Sequence, residues 1–152
     1  MKKKIFLFNK KVYYSFDIIK TINAGLILKG WEIKSIRKNN INISNSYISI
    51  LKNNAYLINS NIKFLNNSIK NEKYKENRKI KLLLKKKEIL YLFNKVNRER
   101  TTIVPIYLFW KNFLCKIKIG LAKGKKIFDK RAVKKEKEWK IKKMRFIKKS
   151  LK

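Results

Sequence analysis

The alternation of apolar and polar positions changes several times along the chain, and each change predicts an element. Residues 11–22 (KVYYSFDIIKTI) are dense in β-branched and aromatic types and read as a first strand. Thr21 is placed to cap a short helix through Gly25 and Leu26, with Gly30 as its stop. Residues 31–37 (WEIKSIR) alternate, with Trp31, Ile33 and Ser35 on one face and Glu32, Lys34 and Ile36 on the other, as in a strand. Asn39-Asn40 predicts a turn and 41–51 a further strand. Lys52-Asn53-Asn54 then reads as a hairpin turn before the strand 56–64.

Residues 66–79 carry only Ile69 and Tyr74 as sizeable apolar groups and predict a mobile surface loop. Leu82, Ile89, Leu92, Phe93 and Val96 recur at helical intervals, giving an amphipathic helix over about 85–97. Residues 103–110 are apolar on both faces, which suits a buried strand, and Pro105 argues for an edge or a bulge. In the strand 114–119, Cys115, Ile117 and Ile119 point inward while Lys116 and Lys118 take the other face. Trp31 and Trp110 read as core. Several short strands with one or two helices between them indicate an α+β fold, a small antiparallel β-barrel.

Charge sharpens this picture. The chain holds 42 Lys+Arg against 9 Asp+Glu, a net +33, and 45% hydrophobic residues, enough for a core. A charge this far from neutral opposes compaction and points to a polyanionic partner, either nucleic acid or an anionic membrane surface. Lys, Ile and Asn, all served by A- and U-rich codons, number 36, 23 and 17, so the distribution of charge says more than its total. Residues 123–152 hold 15 basic and 3 acidic residues, whereas 1–122 hold 27 and 6, so basic density roughly doubles near Ala122. The chain thus divides into a barrel over 1–122 and a basic tail over 123–152. In the tail, Ile141, Met144, Ile147 and Leu151 make a thin apolar stripe on a lysine-covered helix. Such a helix is marginal alone, which predicts a tail disordered when free and folding on a partner.

Several chemistries are excluded. The chain has no His, hence no imidazole base and no His-metal site. Cys115 is its single cysteine, so it forms no internal disulfide or CxxC pair, in keeping with a reducing cytoplasm. Met1–Phe8 resembles the start of a signal peptide, but its apolar run ends at Asn9, short of the ~7–15 residues needed. No stretch approaches the ~18–20 apolar residues of a membrane span. Gly120–Lys126 departs from a Walker phosphate loop in spacing and lacks the Ser or Thr after Lys, leaving backbone-phosphate contact as its better use. The pairs Glu72/Glu76 and Glu136/Glu138 sit among lysines and read as local charge balance. The reading is of a binding protein, with no enzyme activity, no cofactor and no metal. Lys116 and Lys118 with Lys123–Lys126 form a candidate RNA-facing stripe, and Trp139 a candidate stacking group.

The segments 24–26 (AGL), 30–37 (GWEIKSIR) and 42–47 (NISNSY) resemble the SmpB family, whose members bind transfer-messenger RNA. So do 78–84 (RKIKLLL), 95–99 (KVNRE) and the long run 108–126 with Asp129-Lys130-Arg131, collinear from about Asn9 to the C-terminus. The resemblance implies an OB-like barrel with flanking helices. It also implies an adaptor that carries transfer-messenger RNA to stalled ribosomes, its tail entering the small-subunit decoding centre and empty mRNA channel as a helix. By position it assigns Asn23, Leu83 and Lys116 to RNA contact, in line with the stripe of Lys118 and Lys123. Gly124, Lys125, Lys126, Phe128, Asp129, Lys130 and Arg131 fall in the decoding-centre segment, and Trp139, Met144, Phe146 and Ile147 in the ribosome-binding tail. Two positions depart from the family pattern: Asn23 stands where Glu is usual and Phe128 where His is usual. Asn keeps an acceptor without the charge, and Phe keeps a stacking face without a hydrogen-bond donor. The resemblance implies a monomeric cytoplasmic protein with no membrane or small-molecule partner. A general ribosome-associated basic protein and a membrane-surface protein remain as alternative readings.

Overall fold

A computed structural model describes residues 4–65 and 76–150. Its elements run β1 (Lys4–Phe8), α1 (Lys10–Ser15), β2 (Phe16–Leu26), α2 (Gly30–Arg37), β3 (Ile41–Asn42), β4 (Tyr47–Leu51) and β5 (Asn54–Ile58). There follow β6 (Asn61–Ile62), β7 (Ile80–Leu83), α3 (Lys86–Glu99), β8 (Thr102–Lys111), β9 (Leu114–Gly124) and α4 (Ile127–Ser150). Most of the expected 66–79 loop, the first three residues and Leu151 lie outside the described residues.

The main sheet is antiparallel, ordered β1-β8-β4-β5-β7-β2-β9, and β9 pairs again with β8. The pairings therefore run in a circuit around an OB-like barrel, but the seam between β4 and β8 rests on one register position, Ile48 opposite Ile103. Alternate residues of each strand fill the interior: Ala24, Leu57, Leu82, Leu108, Ile117 and Ile119 are all buried together. Burial of each such Leu or Ile side chain is worth about 1.5–3 kcal/mol, which is how a chain of this charge stays compact. Pro105 sits where the β8–β9 register shifts, as its missing N–H requires. Two-residue turns close the β4–β5 and β8–β9 hairpins at Lys52-Asn53 and Asn112-Phe113, all four with positive φ.

Five local expectations are corrected. Residues 10–15 are helical, since Asn9 and the buried Val12 anchor this segment against β8 and tertiary contact overrides β propensity. Thr21 and Gly25 lie inside β2, not in a helix, because this segment ladders along β9 from Phe16 to Gly25. Residues 31–37 form α2 instead of a strand. Its buried positions are Glu32, Ser35 and Ile36, a helical spacing carried by two polar residues and so invisible to hydrophobic periodicity. Gly30 consequently opens that helix instead of stopping one. The expected strand 41–51 divides into β3 and β4, and 56–64 into the end of β5 and β6, with β3 and β6 pairing as a separate small sheet.

The amphipathic helix is present as α3, and the strand 114–119 as β9, which runs on to Gly124. Beyond Lys126, residues 127–150 form one helix.

Candidate nucleic-acid interface

Register decides which side chains share the outer face of the barrel. Gly25 on β2 lies opposite Leu83 on β7 and, on its other side, opposite Lys116 on β9. One pleat along, Asn23 lies opposite Lys118. Their neighbours Ala24 and Ile117 are buried, so 23, 25, 116 and 118 stand on the outer face by strict alternation. Five residues from three strands thus meet on a patch two rows deep. Asn23 is exposed, Leu83 is 57% exposed, and both lysines are half-buried, their stems lying along the sheet.

The absence of a side chain at Gly25 is part of this geometry. A Cβ there would lie 3.3 Å from Leu83 Cβ and Cδ1, tighter than an ordinary contact. A cleft of about 570 Å³ opens over the same row, lined by Asn23, Gly25, Leu83, Glu88, Phe113 and Lys116. A second, of about 560 Å³, meets it at Asn23 and Glu88 and is walled by Lys20, Lys87 and Tyr91, with Lys20 Nζ 4.3 Å from the Tyr91 ring centre. Phe113, at the β8–β9 turn, is 93% exposed beside the first cleft. Residue-by-residue reading missed Gly25, Phe113 and Lys20, because only strand register brings them to the patch.

The basic stripe continues up β9. Lys123 is exposed opposite Asp17, and Gly124 pairs with Phe16. Lys125 fixes the exit of the strand: its N–H donates to Ser15 O at 2.9 Å, and its Nζ donates to Tyr13 O at 3.0 Å and lies 3.4 Å from Asp17. Lys126 is exposed. Lys130 is half-buried in the first turn of α4, its N–H donating to Lys126 O, and Arg131 is exposed. Phe128 and Asp129 fall on the same turn of backbone, their side chains outside the described residues. Further along α4, Trp139, Ile141, Met144, Phe146 and Ile147 are all exposed, with Lys143 Nζ 5.2 Å from the Trp139 ring centre. Lys140 bridges Glu136 one turn away and holds its carboxyl below the usual range. The tail candidates thus follow on from β9, whose exit Lys125 fixes against α1 and the start of β2.

Among the described residues no group of three or more His, Cys, Asp or Glu could hold a metal, and no helix is long and apolar enough to cross a membrane. Cys115 is buried under the patch, and burial pushes its thiol up to about 12.

The sequence profile of the family described as “SmpB protein” matches residues 6–149. The chain belongs to the SmpB family. Two similar relatives are each named SsrA-binding protein, both from Buchnera aphidicola. One, from subspecies Baizongia pistaciae, is 48% identical over 140 residues, covering 92% of this chain and 89% of the relative. The other, from subspecies Schizaphis graminum, is 45% identical over 167 residues, covering 98% and 92%. Among solved structures, a chain described under “tmRNA-SmpB: a journey to the center of the bacterial ribosome” matches with a TM-score of 0.66 and 31% identity, over 81% of this chain and 85% of that one. The α+β barrel with flanking helices of this chain agrees with a fold already seen in the family.

Proposed function

We propose that this chain binds transfer-messenger RNA through the outer face of β7, β2 and β9 and delivers it to stalled ribosomes in trans-translation. The observation that carries the reading is the cross-strand row Leu83–Gly25–Lys116 beside Asn23–Lys118, set in a chain that belongs to the SmpB family. An apolar side chain flanked by two lysines and an amide suits an RNA backbone and sugar edge, recognised by shape and charge. The protein acts as a cytoplasmic monomeric adaptor, with binding and positioning as its whole task and no chemical step, cofactor or small-molecule substrate.

The segment from Gly124 to Arg131 takes the decoding centre, with Phe128 stacking where the family usually has His and Asp129 and Lys130 beside it. The tail beyond it lies in the empty mRNA channel. Trp139, Met144, Phe146 and Ile147 supply its apolar contacts there. Past its first turn this helix is lysine-rich with exposed apolar residues, so in free solution it is marginal until the ribosome neutralises it.

The test is binding of the purified protein to its own transfer-messenger RNA and to an ordinary tRNA over a salt series. A preference that persists near physiological salt is expected. Equal binding that collapses for both RNAs together would replace the reading with that of a general ribosome-associated polycation.

A further inference from the structure

The row that begins at Asn23 does not end on β9. Lys118 lies opposite Tyr107 on β8, and Tyr107 lies opposite Phe8 on β1, so one register line crosses four strands. Lys118 Nζ stands 5.6 Å from the centre of the Tyr107 ring. The Phe8 ring is parallel to Tyr107 within 16° at 6.2 Å, and to Tyr13 of α1 within 6° at 5.7 Å. At these separations near-parallel rings are offset, so each keeps part of its face uncovered. Phe8 is 44% exposed and Tyr13 50%.

This alignment is held from below. The buried Asn9 joins β1 to α1, and its Nδ2 donates to Ile43 O at 3.1 Å and Pro105 O at 3.2 Å, while its N–H donates to Ile106 O. Phe8 and Tyr13 leave either side of that anchor. At the far end, Lys125 Nζ donates to the carbonyl of Tyr13 itself. The rings therefore lie between Lys118, over the Tyr107 ring, and Lys125, which holds the Tyr13 backbone and pairs with Asp17.

We infer that Tyr107, Phe8 and Tyr13 form a stacking platform for an unpaired RNA base, continuous with the Asn23–Lys118 row. An apolar protein partner would be poorly served by a site flanked by lysines and reached only across a charged row. A nucleotide uses both parts, its base on the rings and its phosphate at the lysines. The inference rests on the RNA-binding reading above and extends that surface past β9 onto β8, β1 and α1.

The test uses the full chain and a short single-stranded RNA carrying 2-aminopurine, compared with a duplex of equal length and with the same strand bearing abasic sites. Stacking quenches 2-aminopurine, and the abasic strand is expected to bind about tenfold or more weaker, the usual scale of one base–aromatic contact. Phe8→Leu and Tyr13→Leu, which keep apolar bulk and remove the ring, are each expected to abolish the quench. An abasic strand that binds as tightly as the intact one overturns the platform, whatever the fate of the variants, and so does a quench that survives both substitutions. Duplex bound more tightly than single strand overturns it as well. Failure of the unmodified protein to bind transfer-messenger RNA at all would instead remove the RNA-binding reading on which the platform rests.

Discussion

Arg78 closes on Glu32 with two guanidinium N–H groups. Nε faces Oε1, and Nη2 donates to Oε2 at 2.6 Å. The same carboxylate accepts the Lys29 N–H at 2.6 Å, so one buried acid caps α2 and ties it to the strand entering β7. Arg78 Nη2 also donates to Ile27 O at 2.9 Å, which secures the end of β2. Glu32 is only 1% exposed. Leaving its charge without the guanidinium should be severe, because breaking one side of a buried pair costs about 3–5 kcal/mol. Arg78→Met is therefore expected to lower the melting temperature by many degrees. Glu32→Gln, which keeps an acceptor for the Lys29 amide, should do so by less. A loss under about 1 kcal/mol for Arg78→Met in urea titration would show that the pair is worth no more than an exposed one.

That ion pair also shows what could be read in advance. Strands β4, β5 and β9 and helix α3 announce themselves because their buried residues are apolar at the matching period, and β8 through its continuous apolar run. Helix α2 hides because its inward positions include Glu32 and Ser35, and Glu32 is buried against Arg78, 46 residues away. Helix α1 hides for a related reason: Val12 and the Asn9 anchor hold it, and Tyr13 and Tyr14 look like strand residues. The patch residues Asn23 and Leu83 are nameable through family resemblance alone, whereas Lys116 is legible from its alternation along the strand and the basic segment beyond it. Their meeting around Gly25 is a property of register, which no local pattern carries.

The two crowded glycines of the sheet should respond differently to alanine. At Gly120 a Cβ would meet Ile106 Cδ1 at 3.0 Å and Ile18 at 3.2 and 3.3 Å, inside packed surroundings. Gly120→Ala is expected to cost stability, on the order of 1–3 kcal/mol for overpacking. At Gly25 the only crowding partner is the exposed Leu83. Gly25→Ala should fold nearly as well and yet weaken RNA binding by displacing that side chain. Parallel melting and filter-binding curves separate the two cases. Full RNA affinity in Gly25→Ala would mean that the position of Leu83 does not matter.

Lys116 and Lys118 should each act as a phosphate contact. Replacing either with Ala is expected to reduce the slope of log K against log salt by roughly one unit, without changing the melting temperature appreciably. Lys52, in the β4–β5 turn, carries the same charge away from the row, and Lys52→Ala is the matched control. Slopes that fall equally for all three would show that only total charge counts.

Cys115 gives a pH signature. Its thiol is raised from 9.0 to about 12 by burial, so the folded state holds its proton over a window where the unfolded chain has lost it. Below about pH 9 both states are protonated and the group is neutral in effect. Between there and about 12 the unfolded state alone ionises, and stability falls by up to about 1.4 kcal/mol per pH unit. Cys115→Ala should flatten this part of the decline relative to the unaltered protein, with lysine titration common to both. At pH 8 the native thiol is also expected to resist a disulfide reagent until denaturant is added. Prompt labelling of the folded protein would overturn both expectations.

Removal of the tail tests the division of labour, and the structure fixes where to cut. Ending the chain at Ala122 would strip Lys123 and Gly124 from their pairing with β2 and remove the Lys125 contacts to Tyr13, Ser15 and Asp17. Ending it after Lys126 keeps all of these and deletes α4 alone. That shorter protein should retain its preference for transfer-messenger RNA over tRNA. Its salt slope should be lower, since many basic side chains leave with the helix. It should fail to support tagging on stalled ribosomes, because nothing remains to occupy the vacant channel. Within the full chain, Trp139→Ala and Phe146→Ala are expected to reduce tagging while leaving RNA affinity in place. Tagging by the truncated protein at the normal rate would assign ribosome recognition to the barrel and make α4 a mere counter-charge for RNA.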